Sequence, residues 1–283
     1  MFLDRLTFRK KRFGYYLLGS FIIIVFNQLG QIPLLFSIPS DIIIEPDSNP
    51  MDIIKSIPSN LRLFLILLAS LITVPGIWLV VVKLHELSFK SIVTKRKNVD
   101  YNRIIFSFLL WGVVITTFVI IGYFISPENY EFNFKLKEFL ILSVIAILLI
   151  PVQTTVEELV FRGYLMQGFG GLHLINPEVE ALGYLIMVQY LGYGFVLGIM
   201  TLMDEGLELA IGFHAANNLF IVLLLTSSWT VFETESILRD ISDPALTTLN
   251  FIIPLIIYPI LLYVFARKYS WKDWYGKLVS RIN

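Results

Sequence analysis

The sequence predicts an all-α protein, a polytopic transmembrane helix bundle. Hydrophobic residues make up 56% and charged residues only 16% of the 283 residues, and the mean hydropathy is +0.75. Soluble domains contain roughly 45–50% apolar residues, so the composition excludes a soluble globular protein. About seven windows are long and apolar enough to cross the hydrocarbon core: 14–37, 61–83, 103–125, 138–160, 182–203, 207–227 and 247–266.

Each window remains a candidate span when its prolines are considered. Pro75, Pro151 and Pro254 fall inside windows, and a helix bundle tolerates such kinks because neighbouring groups satisfy the freed backbone. No repeat of 20–50 residues and no low-complexity linker divides the chain, which favours a single bundle.

Loop charges predict the orientation of the first spans. The segment Met1 to Arg12 and the loop from Lys90 to Arg103 are rich in Lys and Arg, whereas the loop from Asp41 to Asp52 is acidic. By the positive-inside rule, the N-terminus and the basic loop are cytoplasmic. We therefore expect an integral multi-pass protein of the cell membrane with a cytoplasmic N-terminus.

In the second half of the chain, the loop charges conflict with the same rule if the chain crosses the membrane seven times in total. The basic tail from Arg267 to Arg281 would lie outside and the acidic segment Glu233 to Asp243 inside. One more crossing between Arg162 and Ala181 would repair both ends. The 18 residues Gly163 to Glu180 are short and glycine-rich for an ordinary span, so either a re-entrant segment or a missing helix is expected.

Composition also limits the chemistry. The net charge is zero, which gives no indication of nucleic acid as a partner, and the absence of cysteine excludes disulfides, a thiolate nucleophile and cysteine-ligated metal. Three histidines are present, His85, His173 and His214. His85 falls in the basic loop and is expected to be a loop residue, while Trp229, Trp271 and Trp274 are expected to be interface anchors.

The most informative residues are Glu157, Glu158 and Arg162, which follow an apolar run within the fourth window. A carboxylate at membrane depth is costly unless it is paired or faces a polar cavity, so such residues are functional candidates. On a helix, Glu158 and Arg162 lie four apart on one face and predict an ion pair. Glu157 points about 100° away from Glu158 and has no evident partner.

A second group of polar residues falls in the later windows. His214 and Asn218 are four apart, and His173 follows Phe169 by four residues. A glutamate can act as general base toward water, a histidine can return the proton, and an amide can stabilise an oxyanion. Equally, Glu157, His173 and His214 could hold a divalent metal such as zinc, with one position open for water.

Three motifs in this order, Glu157-Glu158-x-x-x-Arg162, Phe169-x-x-x-His173 and His214-x-x-x-Asn218, resemble those of the CPBP (CAAX protease and bacteriocin-processing) intramembrane endopeptidases, which are related to type II CAAX prenyl proteases. The resemblance covers roughly 140–222. It implies water activation by Glu157 with His173, a structural Glu158–Arg162 pair, and an oxyanion or metal-side role for His214 and Asn218. The family has been described both as metal-dependent and as glutamate-dependent, so no cofactor is certain.

The resemblance also implies an organisation and a set of partners. We expect N-terminal helices at 1–137, the protease-like unit at 138–227, and a C-terminal helix with a basic cytoplasmic tail at 228–283. The implied substrate is a peptide or lipidated protein reached from membrane lipid. In the family, a complete helix normally separates the first two motifs, giving eight spans; here only the ten residues Gly163 to Leu172 do so.

Two other functions fit the residues. A catalytically impaired protein of the same fold could act by binding, in an immunity or scaffold role. A small transporter could use Glu157 as a proton relay, although this would not explain the ordered His and Asn motifs. His214 with Asn218 could also be an interhelical hydrogen-bonding pair without a catalytic role.

Overall fold

The structure is a computed structural model that describes residues 13–40, 50–165, 184–230 and 232–279. Its architecture is a helix bundle, which confirms the predicted class. The helices are α1 (Phe13–Phe36), α2 (Pro50–Lys55), α3 (Ser59–Trp78, extended by a π-helical turn at Leu79–Leu84), α4 (Tyr101–Ile125), α5 (Leu136–Glu158, extended by a π-helical turn at Leu159–Tyr164), α6 (Ile186–Asp204), α7 (Glu208–Leu224), α8 (Thr248–Lys268) and α9 (Trp274–Val279).

Each of the seven predicted windows coincides with one of these helices. Within the described ranges, α1, α3, α4, α5, α6 and α8 are long and apolar enough to cross a membrane, and α7 is apolar but only 17 residues long. Local signals fix several ends. Asp100 caps α4 by accepting from the Asn102 backbone, and Thr247 with Asn250 forms a capping box that starts α8.

The shortest spanning helix, α7, is also the most enclosed. It packs against α4, α5 and α6, and eleven of its residues are buried. The approach to α4 is close because Gly212 has no side chain: a Cβ there would lie 2.1 Å from the backbone oxygen of Ile104. The helix that carries His214 is therefore fixed in the centre of the bundle.

One end of the bundle carries a small sheet that the sequence analysis does not predict. Strands β1 (Tyr130–Phe132), β2 (Leu225–Ser227) and β3 (Leu238–Asp240) are three residues long, and β3 pairs antiparallel to β1 and parallel to β2. We call this the sheet end. Arg62, at the start of α3, donates to the Glu233 backbone oxygen there, so the acidic segment lies at this end.

The opposite end, called the basic end, contains the loop at 85–100, the turn at 205–207 and the tail at 269–279. Its centre is the buried Asp204. Arg96 pairs with Asp204 at 2.8 Å and with Glu208 at 3.0 Å, and Arg103 also pairs with Asp204. The tail joins this ionic cluster, because Trp271 Nε1 donates to Asp204 Oδ1 at 3.0 Å.

This arrangement fixes the relative direction of the later helices. Helix α5 runs from the sheet end to the basic end, and α6 also finishes at the basic end, where Asp204 lies. The basic tail lies at the same end as the basic loop. The expectation of a re-entrant segment or a missing helix at Gly163 to Glu180 concerns residues that lie largely outside the described ranges, and it stays a prediction.

Two aromatic or histidine side chains differ from expectation. His85 lies in the loop, as expected, but it is fully buried there, and its Nε2 lies 3.0 Å from the Tyr164 hydroxyl at the end of α5. Trp271 is 8% exposed and forms part of the ionic cluster rather than only an interface anchor. Both sites are built by contacts between segments far apart in sequence. Such contacts cannot be predicted from the pattern of residues within one segment.

Candidate active site

The candidate site is built where α5 changes its geometry. Glu157 and Glu158 occupy the last turn of the α-helix, and the backbone widens into a π-helical turn from Leu159 to Tyr164. π-Helical turns within helices are often associated with functional sites. Arg162 lies in this turn, so the first motif spans the junction between the two helical geometries.

Glu158 is the fixed centre of the site. It is completely buried, and its Oε1 accepts from Arg162 Nη1 at 2.6 Å and lies 2.7 Å from His214 Nδ1. The spacing predicted the contact with Arg162, whereas the contact with His214 connects α5 to α7. A carboxylate paired with a guanidinium accepts hydrogen bonds, so His214 donates to Glu158 through Nδ1. The other ring nitrogen, Nε2, then faces away from Glu158.

Glu157 faces that second nitrogen. Its Oε2 lies 3.6 Å from His214 Nε2, and 36% of the Glu157 side chain is exposed. The separation is longer than a hydrogen bond and is typical of groups that a water or a shared proton can connect. The two carboxylates thus differ: Glu158 is enclosed, and Glu157 remains open to a ligand.

The expectation that Glu157 lacks a partner is wrong, because Gln153 supplies one. Gln153 lies one helical turn before Glu157 and donates from Nε2 to Glu157 Oε1 at 2.5 Å. Sequence reasoning missed this residue, although a glutamine inside an apolar span, four positions before a glutamate, was a usable signal.

A chain of amides extends from this contact to α4. Asn218 Nδ2 donates to Gln153 Oε1 at 3.2 Å, Asn217 Nδ2 donates to Asn218 Oδ1 at 3.2 Å, and Trp111 Nε1 donates to Asn217 Oδ1 at 3.1 Å. Every N–H in this chain points toward Glu157, and such aligned hydrogen bonds polarise one another. The Gln153 amide is therefore held in place by this chain, with its N–H directed at Glu157 Oε1.

Helix α6 closes the other side of the site. The ring of Tyr193 meets the imidazole of His214 edge to face, with the ring centroids 5.8 Å apart. The Tyr193 hydroxyl and Glu158 Oε2 are buried and have no hydrogen-bond partner in the described part of the chain.

The remaining predicted residue, His173, lies outside the described residues, as does Phe169. The structure therefore brings together Glu157, Glu158, Arg162 and His214, with Asn218 joined through Gln153. Among the described residues, no three His, Asp or Glu side chains form a group that could hold a metal ion. Glu157 and His214 supply two of the three protein ligands typical of catalytic zinc, and the sequence offers His173 as the third.

Comparisons with known proteins point to the same helices. Residues 136–220 match the family described as type II CAAX prenyl endopeptidase Rce1-like. The chain is 29% identical over 238 residues to an uncharacterized protein, YyaK, of Bacillus subtilis (strain 168); the match covers 77% of this chain and 79% of that protein. No solved structure matches.

The family match begins at the first residue of α5 and ends two residues beyond Asn218, so it encloses all of the polar side chains described above except Trp111 on α4. It is a family of intramembrane proteases, which agrees with the helical, apolar architecture of an integral membrane protein. Over residues 136–220 the chain is therefore similar to the Rce1-like family, and this match supports an assignment to the CPBP and CAAX protease family.

Proposed function

We propose that the protein is an intramembrane endopeptidase that hydrolyses a peptide bond with a water molecule activated by Glu157. The observation that carries the proposal is the 3.6 Å separation between Glu157 Oε2 and His214 Nε2, two groups delivered by separate helices. A partly exposed carboxylate facing an imidazole is an arrangement suited to general acid–base catalysis. The Rce1-like family supports a protease of the CAAX type.

Proton transfer follows from the hydrogen bonds. Glu157 Oε2 takes a proton from the attacking water. Because Nδ1 of His214 donates to Glu158, Nε2 carries the lone pair and can receive that proton from Glu157. His214 then gives it to the leaving amine, and the carboxylate of Glu158 stabilises the imidazolium formed in between.

Glu158 and Arg162 act by positioning. Arg162 keeps Glu158 ionised at membrane depth, and Glu158 holds the His214 ring with Nε2 toward the substrate side. Asn218 acts from the opposite side of Glu157. One of its amide hydrogens binds Gln153, and the other can donate to the oxyanion that forms at the scissile carbonyl.

His173 would complete the site if the chain between α5 and α6 carries it toward Glu157, as the family resemblance implies. If a zinc ion is bound, Glu157, His173 and His214 would hold it, and it would polarise the carbonyl and the water.

We propose residues 138–227 as the catalytic unit, flanked by helices at 1–137 and 228–283. Cleavage of a peptide or lipidated protein then takes place at the cytoplasmic half of the cell membrane, with the N-terminus cytoplasmic.

A second function, binding without catalysis, is favoured by one observation. The first two motifs are separated by only ten residues, Gly163 to Leu172. The alignment with YyaK runs over 238 positions but takes in 77% of the 283 residues here, so gaps of about 20 positions, the length of one span, fall in this chain. A protein shortened in this way could keep the bundle and lose turnover.

The two functions are separated by testing the purified protein in proteoliposomes with fluorogenic peptides, one prenylated at a C-terminal CAAX sequence and one unmodified. The protease proposal expects cleavage that Glu157→Gln reduces at least about 100-fold, because the amide keeps the shape but cannot accept the proton. The matched control is Glu138→Gln at the start of the same helix, which should retain full activity.

Unchanged turnover by Glu157→Gln would remove Glu157 from the mechanism. If the unaltered protein binds the peptides but cleaves neither, with or without added zinc, the binding function replaces the protease function.

A further inference from the structure

A second surface lies at the basic end, between the end of α8 and the tail. A cleft of about 640 Å³ opens there, within the range of roughly 300–1,000 Å³ of small-molecule sites. Its walls combine three aromatic side chains, Tyr263, Trp271 and Trp274, with two cations, Arg267 and Lys272. The Glu157 site contributes no residue to this cleft.

The two cations in the cleft have no acidic partner in the described part of the chain. Across the described residues, neither Arg267 nor Lys272 makes an ion pair or a side-chain hydrogen bond. The acidic groups at this end are engaged elsewhere: Asp204 and Glu208 by Arg96, and Glu205 by Lys95 at 2.9 Å. Asp273, next along the chain, accepts from the Gly276 backbone. The cleft therefore has a net positive charge.

The position of the cleft relative to α8 indicates what kind of anion it suits. Helix α8 leaves large apolar side chains exposed along its length, Leu255 at 74%, Ile256 at 55% and Ile260 at 52%. This apolar face ends at Arg267 and the aromatic side chains, the composition typical of the membrane–water interface. An amphiphile could place its acyl chains against α8 and its headgroup in the cleft.

We propose that this cleft binds an anionic phospholipid, with the phosphodiester between Arg267 and Lys272 and the glycerol backbone against Trp271 and Trp274. Basic pockets between transmembrane helices are suited to such headgroups. Trp271 donates from its indole nitrogen to Asp204, so a lipid seated against it holds the tail onto the ionic cluster. Bound lipid should therefore stabilise the folded protein.

The test compares nanodiscs of phosphatidylcholine alone with nanodiscs that also contain phosphatidylglycerol. At phosphatidylglycerol levels well above the dissociation constant, we expect the Tm to rise by about 5 °C. The variant Arg267→Gln with Lys272→Gln should lose this rise. In native mass spectrometry, the dissociation constant of this variant for phosphatidylglycerol should be about 30-fold higher, because each of the two basic residues contributes about 1 kcal/mol to binding an anionic lipid.

The control variant, Lys90→Gln with Lys97→Gln, removes two charges from the basic loop at the same end and should behave like the unaltered protein. Equal weakening by both variants would show a diffuse basic surface and overturn the proposal.

An equal rise in Tm with inorganic phosphate in phosphatidylcholine would indicate a phosphate site instead. Displacement of the lipid by an acidic peptide at micromolar concentration would indicate a peptide site. The same Tm for parent and cleft variant in pure phosphatidylcholine establishes that the variant folds.

Discussion

Replacing Glu158 with glutamine tests whether this carboxylate holds the site together. The side chain is fully buried and accepts from Arg162 at 2.6 Å and His214 at 2.7 Å. Glutamine keeps the size and one acceptor oxygen but leaves the guanidinium without a counterion, with only 15% of the Arg162 side chain exposed. Breaking a buried ion pair costs about 3–5 kcal/mol. We expect the Tm to fall by about 6–20 °C, at about 2–4 °C per kcal/mol for a protein of roughly this size.

A second substitution separates the lost charge pair from a general loss of packing. Glu158→Gln combined with Arg162→Met removes both charges and should recover most of the lost stability, because an uncharged pair of similar volume is often as stable as a buried ion pair. Thermal unfolding in one detergent, followed by tryptophan fluorescence, measures the cycle. Glu205→Gln is the control, since its pair with Lys95 is about 30% exposed on both sides and should contribute at most about 1 kcal/mol. A loss below about 1 kcal/mol in the single variant, or strictly additive losses in the double variant, would refute the reasoning.

Four further substitutions test the catalytic groups and the packing around them. His214→Ala and Asn218→Ala should each lower the cleavage rate by about 100-fold or more; full activity in both would leave them as an interhelical pair. Gln153→Leu removes the donor to the proposed base, so the acidic limb of the rate profile should move to higher pH, since a carboxylate that loses a hydrogen bond to its charged form binds its proton more tightly; an unmoved profile with unchanged rate would exclude this role. Gly212→Ala should prevent the native packing of α7, because its Cβ would lie 2.1 Å from a backbone oxygen of α4; a folded and active variant in gel filtration and cleavage assays would contradict the close approach.

The spans were predictable because each depends on its own residues. A run of about 20 apolar residues has few alternatives to a membrane helix, whichever helices surround it. The contact between Glu158 and Arg162 was predictable for the same reason, since both lie on one turn of one helix. The charges of the loops predicted that one more crossing would bring the tail to the same end as the basic loop. The tail does lie at that end, whereas the crossing itself falls outside the described residues and stays a prediction.

The interactions that were missed depend on segments far apart in sequence. The sheet pairs strands of three residues from 130–132, 225–227 and 238–240, which are too short to give an alternating pattern. The burial of His85 depends on Tyr164, 79 positions away. The contact between His214 and Glu158 joins two helices. The sequence suggested that these helices converge, but it could not show that Nδ1 of His214 faces Glu158 while Nε2 faces Glu157. Gln153 is different, because it lies four positions before Glu157 on one helix, a spacing from which the contact is predictable.

The ionic cluster around Asp204 has a consequence for how the protein is made. Arg96 and Arg103 emerge from the ribosome about 100 residues before Asp204, and Trp271 emerges 67 residues after it. Until the last part of the chain has been synthesised, Asp204 therefore lacks one of its partners, and the hairpin of α6 and α7 is held from one side only. Domains generally form from the N-terminus during synthesis. A product truncated before Trp271 would lack this partner, so we expect its hairpin of α6 and α7 to be held less firmly at the basic end.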